Sequence, residues 1–429
     1  MGKITVKLSK EIGEIRPLHG VNDAPFSWGE PEYVTEMFRS AAIPHCRLHD
    51  CQGMFGGSHF VDVPNIFPNF DADPNNPENY DFTFTDALLK PITEADTEIV
   101  YRLGVTIEWG PKKYNIHPPK DNLKWAKICE GIIRHYTEGW ADGFRYPIRY
   151  WEIWNEPENP PMWTGTKEQF FRLYAVSSKY LKETFPHLLI GGYGSCGFYA
   201  HTREGMDDFY KGFLTYFTDF LAYIKEENAP LDFFSWHIYG DNVEELIAHA
   251  RYARDVLDAN GYQDTETFLD EWNYGAEGKG FEGMHSIIGA AYVASSICAM
   301  QKAGVPDKAM YYCATLHSRY NGLFDIVTRN KKKQFYALEA FGVLYQLGIQ
   351  IETESDAKNV YVCGAKDGEK SAVMIVNYSD KEQPVCIEGI DLGNYNCSLL
   401  SDTKDLEPIP SEASVVLPKY SIILLKSNL

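Results

Sequence analysis

Short apolar runs of the strand type alternate with stretches of helical periodicity over about the first 350 residues of the chain. Helices are indicated where apolar residues recur three and four positions apart, as between Asn122 and Trp140. Strands are predicted to begin near Leu18, Arg47, Ile99, Trp151, Leu189, Phe234, Leu269 and Met310. This repeated alternation predicts a (β/α)8 TIM barrel, an α/β fold whose active face lies at the carboxyl ends of the strands.

The pattern changes after about Gly348 to short runs of alternating polarity that are separated by polar turns. These runs are Val360–Cys363, Ser371–Asn377, Val385–Ile387 and Ser421–Leu425. Such spacing predicts an all-β sandwich. We therefore expect a catalytic barrel at residues 15–349 and an accessory sandwich at residues 350–429, joined by an N-terminal strand within residues 1–14.

Composition narrows the possible partners and compartments. The 60 acidic and 40 basic residues give a formal net charge of -20, which argues against nucleic acid or a polybasic membrane contact. The nine cysteines are scattered without metal-finger spacing, so free buried thiols are expected, with a Cys386–Cys397 disulfide left open. No apolar run is long enough to span a membrane, and the first ten residues lack a signal-peptide core. We expect a cytoplasmic protein or a mature form without its leader, of undetermined oligomeric state.

Two carboxylates stand out because each follows a strand-like aromatic run. Glu156 ends the run from Tyr150, where Pro157 stops the strand, and Glu271 ends the run from Phe268. A barrel would bring these distant strand ends together, and paired carboxylates are what glycosidic bond cleavage requires. Glu156 is then the candidate acid/base and Glu271 the candidate nucleophile. The acid needs a raised pKa, which burial beside Trp154 and the approach of Glu271 would supply.

Other polar and aromatic residues near predicted strand ends are candidates for substrate binding. They are His19, Arg47, His49, Asp50, Trp109, Asn155, His237, Tyr239 and Trp272. Arg47 could instead form a structural ion pair inside the barrel, and Glu152 is expected to be its partner or that of Arg102. The histidines leave a metal hydrolase as a minor alternative, although no H-E-x-x-H motif is present. The scattered glycines after Ile190 do not form a dinucleotide-binding motif, so no dinucleotide cofactor is predicted. No metal is predicted either.

Seven motifs occur in this order along the chain: Arg47-Leu48-His49-Asp50, Asn79-Tyr80-Asp81-Phe82, Pro118-Pro119-Lys120-Asp121, Trp151-Glu152-Ile153-Trp154-Asn155-Glu156-Pro157, Phe170-Phe171-Arg172-Leu173-Tyr174, Ile190-Gly191-Gly192 and Phe234-Ser235-Trp236-His237-Ile238-Tyr239. Taken together, they resemble glycoside hydrolase family 39, a family of retaining (β/α)8-barrel glycosidases. The resemblance implies Glu156 as acid/base, Glu271 as nucleophile, a sandwich domain built from both termini, and no cofactor. The chain departs from the family pattern at Arg102, at Asp270–Asn273 and at Tyr311–Cys313, which leaves the sugar open.

The familiar activities of that family are β-xylosidase and α-L-iduronidase. We expect exo removal of a terminal neutral β-D-pyranoside of the xylose type, because the acidic charge disfavours a uronic acid and the loop from Gly53 to Asn79 would close the pocket. An iduronidase-like activity, in which Arg47 or Arg102 holds a sugar carboxylate, is the alternative. Other retaining glycosidases, acting on galactosides or arabinosides, and a non-catalytic carbohydrate-binding protein also remain open.

Overall fold

The computed structural model describes residues 1–25, 31–51, 59–275, 283–316 and 322–428. Within these residues the strands form two sheets, a closed barrel of eight strands and a mixed sheet of nine strands. The predicted combination of a TIM barrel and an all-β accessory unit is therefore confirmed.

The barrel strands pair in parallel and in chain order, and the last strand closes on the first. Numbered along the whole chain, they are β2 Gly20–Asn22, β3 His45–Leu48, β4 Glu98–Leu103, β5 Tyr150–Ile153, β6 Leu189–Ser195, β7 Phe233–Gly240, β8 Glu266–Tyr274 and β9 Lys308–Tyr311. All eight lie within or beside the predicted runs. Because the strands are parallel, their carboxyl ends meet on one face of the barrel.

Helices pack around the barrel between successive strands. They are α1 Pro31–Ser40, α2 Val63–Ile66, α3 Thr83–Glu94, α4 Asn122–Thr137, α5 Lys167–Thr184, α6 Tyr199–Thr202, α7 Asp208–Glu226, α8 Val243–Ala259, α9 Ile287–Ala303 and α10 Lys333–Leu347. Thr166 forms a reciprocal capping box with Gln169 at the start of α5. In the part of the chain that the structure describes, no helix is both long and apolar enough to cross a lipid bilayer.

The nine-stranded sheet draws on both ends of the chain. Its strands are β1 Gly2–Glu14, β10 Ile349–Ser355, β11 Val360–Asp367, β12 Lys370–Asn377, β13 Gln383–Glu388, β14 Tyr395–Leu400, β15 Asp405–Ile409, β16 Ser414–Leu417 and β17 Ser421–Ser427. As expected, the N-terminal strand joins it, pairing with β10 and β13.

Alternation along β12 gives the nine-stranded sheet two apolar faces. Val373 and Ile375 lie in a core of the sheet's own, whereas Ala372, Met374 and Val376 belong to the main core that includes the barrel helices. The sheet is therefore packed on the barrel through one face. The division of the chain into domains at residues 349 and 350 stays a prediction.

All nine cysteines are free thiols, so Cys386 and Cys397 do not pair.

Candidate active site

Glu156 lies just beyond the end of β5, on a backbone that the surrounding segments hold in an unusual conformation. Its φ is +43°, a left-handed value that is uncommon for residues other than glycine. Its amide N–H donates to the carbonyl oxygens of Tyr193 and Gly194, at 3.1 and 2.9 Å. The left-handed turn directs the carboxylate inward, where Oε1 lies 2.8 Å from His237 Nδ1 and Oε2 accepts from Asn159 Nδ2 at 2.9 Å.

Glu271 reaches the same space from β8 because that strand contains an irregularity. Trp236 pairs with Leu269 and His237 pairs with Glu271, so Asp270 is an extra residue between two regular pairs. Simple alternation would turn Asp270 and Glu271 to opposite faces, whereas an extra residue of this kind re-aims side chains. Both carboxylates consequently contact the same guanidinium group inside the barrel, that of Arg47.

Arg47, at the centre of the barrel, is fully buried and uses all three of its nitrogens. Nε lies 2.7 Å from Glu152 Oε2 and 2.9 Å from Asp270 Oδ2, and Nη1 lies 3.3 Å from Glu271 Oε2. Nη2 donates to Asn155 Oδ1 at 2.6 Å. Glu152 also accepts from Ser235 Oγ at 2.6 Å, which makes it the buried, paired carboxylate that was expected. Arg47 is thus both a structural ion-pair centre and a neighbour of the candidate nucleophile.

The two candidate catalytic carboxylates lie close together. One oxygen of Glu156, one of Glu271 and a ring nitrogen of His237 are all within 4.8 Å of one another. Tyr239, from the same strand as His237, donates its hydroxyl to Glu271 Oε1 at 2.6 Å. Since Asn155 Oδ1 is occupied by Arg47, its Nδ2 is left without a partner among the described residues, and it can donate to a bound molecule.

Gly194 allows the end of β6 to pass against this cluster. Its φ is +63°, and an added Cβ would lie 3.0 Å from Asn155 Oδ1 and 3.2 Å from both Arg47 Nη2 and His237 Nε2. A side chain here would push into the polar groups that surround Glu156, so glycine is required on both backbone and steric grounds.

The pKa shifts in this site differ from the expectation that the pKa of Glu156 is raised. Burial raises the pKa of Glu156, but hydrogen bonds from His237 and Asn159 outweigh it and hold this pKa below its usual value. Burial raises the pKa of Glu271, and the nearby Glu156 carboxylate adds to the increase. Burial opposes the charged form of His237, yet Glu271, Asp270 and Glu156 together hold its pKa well above the usual range. These directions favour a proton on His237 rather than on Glu156.

Glu156, His237 and Glu271 also form a donor set that a metal ion could use. Two carboxylates and an imidazole suit a divalent cation, and His237 Nε2 lies 3.4 Å from Asp270 Oδ1, the type of outer contact that orients metal-bound histidines. The same residues serve equally well as a proton-transfer group, so the donor chemistry alone does not choose between the two uses.

Three of the predicted binding residues lie around the mouth of the barrel. His49 is buried with Nε2 3.3 Å from Asp50 Oδ1, and the Asp50 carboxylate accepts from Tyr312 OH at 3.3 Å. Burial and the Glu271 charge raise the pKa of Asp50 to about 7. Trp109 is 74% exposed, and the amide of the preceding Glu108 donates to Pro161 O, so this loop lies against the segment that follows Glu156.

The structure does not bring His19 or Trp272 into the site, and these two expectations are corrected. His19 precedes β2, at the amino end of the barrel, where its Nε2 contacts Ala42 O at 2.9 Å. Trp272 follows an inward-facing residue and therefore faces outward, fully buried beside Tyr292 of α9. Arg102 is not a partner of Glu152, because its Nη2 lies 2.7 Å from Asp62 Oδ1.

Several polar residues of the site were not identified from the sequence. They are Asn22, Glu158, Asn159, Ser235 and Asp270. Only Asp270 carried a signal, since it directly precedes Glu271, but the alternation rule argued against its facing inward. The other four contact the site through side chains whose partners are distant in sequence or lie in an irregular loop.

Comparison with known proteins identifies the family. Residues 63–305, more than half of the chain, match the sequence profile described as Glycosyl hydrolases family 39. The chain belongs to glycoside hydrolase family 39. This family 39 chain is 30% identical over 198 residues to a beta-xylosidase of Geobacillus stearothermophilus, a match that covers 42% of the chain and 34% of that protein. The match thus spans about a third of the relative's length.

Solved structures extend the similarity over the whole fold. A glucosidase from Croceicoccus marinus superposes with a TM-score of 0.81 at 21% identity, covering 100% of this chain and 99% of that one. A monomeric beta-xylosidase from Caulobacter crescentus superposes with a TM-score of 0.72 at 15% identity, covering 99% of both chains. At these identities the likeness is one of fold. The resemblance seen in the sequence motifs is confirmed at the level of the family.

Proposed function

We propose that this family 39 chain is a retaining, exo-acting glycoside hydrolase that removes a terminal neutral sugar, with β-xylosidase-like specificity. The observation that carries the proposal is the approach of Glu156 and Glu271 oxygens to within 4.8 Å. Retaining enzymes hold their carboxyl groups about 5–5.5 Å apart, whereas inverting enzymes leave about 6.5–9.5 Å for a water molecule. The separation supports double displacement.

In this mechanism Glu271 attacks the anomeric carbon and Glu156 protonates the departing oxygen. Tyr239 and Arg47 donate to Glu271, and these bonds favour its ionised, nucleophilic form. Asn155 Nδ2 donates to the hydroxyl next to the reacting carbon, a contact that strengthens at the transition state. In the second half of the reaction Glu156 takes a proton from water, which attacks the glycosyl-enzyme.

His237 supplies the proton that Glu156 needs. Its Nδ1 lies 2.8 Å from Glu156 Oε1 and 3.7 Å from Glu271 Oε2. The Glu271 charge is the largest favourable reason for the raised pKa of His237. When Glu271 bonds to the sugar it loses its negative charge, so the pKa of His237 falls and His237 releases its proton to Glu156. When Glu271 is freed again, the proton returns to His237.

The arrangement of cations favours a neutral sugar. Among the residues that the structure describes, Arg47 is surrounded by Glu152, Asp270 and Glu271. Arg102 is fully buried and its Nη2 is paired with Asp62, so burial and pairing both disfavour its use by a sugar carboxylate. Xylose is the preferred sugar because the Geobacillus stearothermophilus relative is named a beta-xylosidase. Exo action is suggested by Asp50 and the loop of residues 53–79, of which residues 53–58 lie outside the described residues.

The test is a panel of matched aryl glycosides of neutral and uronic sugars, assayed before and after dialysis against EDTA. We expect the highest kcat/KM on β-xylosides and no loss after dialysis. A preference for the uronic sugar that disappears in Arg102→Ala would favour an iduronidase-like activity. Loss of turnover with EDTA would favour the metal hydrolase, and binding without turnover of any glycoside would favour a carbohydrate-binding protein.

A further inference from the structure

Glu158 follows the candidate acid/base by two residues and contacts the carboxyl end of β6. Its Oε1 accepts from Ser195 Oγ at 2.9 Å and from the Cys196 amide at 2.8 Å. These bonds link the loop after β5 to the end of β6. The same two segments are joined a second time by the Glu156 amide, which donates to Tyr193 O and Gly194 O. Glu158 and the Glu156 backbone therefore hold the same short segment at neighbouring points.

The second carboxyl oxygen of Glu158 occupies a buried position that lacks a protein partner. Oε2 has no hydrogen-bond partner among the described residues, and neither has the hydroxyl of Tyr193 or of Tyr216. Burial, followed by the Glu158 charge, raises the pKa of both tyrosines, so their hydroxyls lie within the field of this carboxylate. Burial and the Glu156 charge raise the pKa of Glu158 to about 7, against the bonds from Cys196 and Ser195.

The segment held by Glu158 borders the reacting groups. Gly194 passes within contact distance of Asn155, Arg47 and His237, and its amide donates to Ser235 Oγ at 2.8 Å. The Cys196 thiol is one of the donors that lower the pKa of Glu156. Glu156 itself has a left-handed φ, a strained backbone conformation that persists only where the surrounding structure holds it in place.

We propose that Glu158 is a positioning residue for the acid/base. It clamps the loop that contains Glu156 to residues 193–196, whose carbonyl oxygens at Tyr193 and Gly194 accept from the Glu156 amide. This inference rests on the proposed acid/base role of Glu156. Loss of the clamp relaxes the strained turn and moves the Glu156 carboxyl group away from the leaving oxygen. The damage is confined to protonation of the leaving group, while the attack by Glu271 is left intact.

The test compares Glu158→Ala, Glu158→Gln and a matched control, Asp232→Asn. Asp232 also accepts a backbone amide of β6, that of Ile190 at 2.7 Å, but at the opposite end of the strand. Each variant is assayed on a glycoside with a poor leaving group and on a dinitrophenyl glycoside, which needs little protonation. A misplacement of about 1 Å can cost about a hundredfold in rate.

For Glu158→Ala we expect about a hundredfold loss of kcat/KM on the poor leaving group and less than about threefold on the dinitrophenyl glycoside. Asp232→Asn should change both substrates equally. Equal losses on both substrates in Glu158→Ala, or none, would overturn the proposal. Glu156→Ala serves as the reference: if it also fails to discriminate between the substrates, the acid/base assignment is wrong rather than the clamp.

Glu158→Gln keeps an acceptor for Ser195 and Cys196 but removes the charge, so it tests the inference even if the alanine variant fails to fold. Because both bonds to Ser195 and Cys196 are kept, we expect kcat/KM within about threefold of the wild type on both substrates. A loss confined to the poor leaving group, comparable with that of Glu158→Ala, would contradict the clamp.

Discussion

Tyr239→Phe removes one hydroxyl from the site and tests how Glu271 is kept ionised. The hydroxyl donates to Glu271 Oε1 at 2.6 Å, a short bond to a buried carboxylate. A hydrogen bond to a charged group contributes about 1.5–3 kcal/mol. One pKa unit corresponds to about 1.4 kcal/mol, so its loss should raise the pKa of Glu271 by about one to two units. Arg47 remains in place and keeps the carboxylate from becoming wholly unpaired.

The assay is kcat/KM on one aryl glycoside as a function of pH. A nucleophile must be ionised, so the acid limb follows Glu271 and should move to higher pH by about one to two units. Tyr136→Phe is the matched control, because Tyr136 OH donates to Asp86 Oδ1 at 2.9 Å outside the site. The control should lose stability and leave the acid limb in place. An unmoved limb in Tyr239→Phe would refute the assignment of Glu271 as the ionised nucleophile.

Three further outcomes are expected. Glu156→Ala should lose about 10²–10⁴-fold on poor leaving groups and much less on activated aryl glycosides, and equal losses in steady-state kinetics would argue against an acid/base role. The pKa of Asp50 in the folded protein is about 7, against an ordinary 3.8. Protonated Asp50 therefore stabilises the fold fully below about pH 4, and this stabilisation is lost as the pH rises through 7. In Asp50→Asn the corresponding fall of order 4 kcal/mol in the free energy of unfolding should disappear, and an unchanged dependence of that free energy on pH, measured by chemical denaturation, would contradict this. Deletion of residues 350–429 should give insoluble protein, since it uncovers the apolar surface that meets Met374 and Val376, and a soluble, active truncation would disprove the packing role.

The barrel could be predicted because its signal repeats along the chain. Each strand run is short and apolar, most runs are followed by a stretch of helical periodicity, and this repeated alternation leaves few other folds. Helix α3 was missed because Thr83–Glu94 begins with β-favouring Thr and Phe residues and contains Pro91, so its composition argues against a helix. Tertiary contacts override that local preference.

The site was predictable where a local signal marked it. Pro157 ends a strand at Glu156, and the run from Phe268 points to Glu271. His19 was misplaced by an error of a few residues, since β2 begins only at Gly20 and leaves His19 at the amino end of the barrel. The inward turn of Asp270 depends on an irregular pairing with β7, which is a property of two strands and cannot be seen in either one alone.

The resting protonation of the site also lies beyond sequence reasoning. Burial was expected to raise the pKa of Glu156, and it does act in that direction. The outcome is decided by His237, which comes from a strand 81 residues away and lies between both glutamates. Only the three-dimensional arrangement of Glu156, His237, Asp270 and Glu271 shows in which direction each pKa is shifted.

In the proposed mechanism Glu271 forms a covalent bond to the sugar while Glu156 assists. The most direct measurement is intact mass spectrometry after incubation with a 2-deoxy-2-fluoro glycoside of the preferred sugar that carries a dinitrophenyl leaving group, followed by peptide mapping. We predict a mass increase of one fluorosugar per chain, located on Glu271 and absent in Glu271→Gly. Normal turnover of substrates without any label, or a label on another residue, would contradict the account.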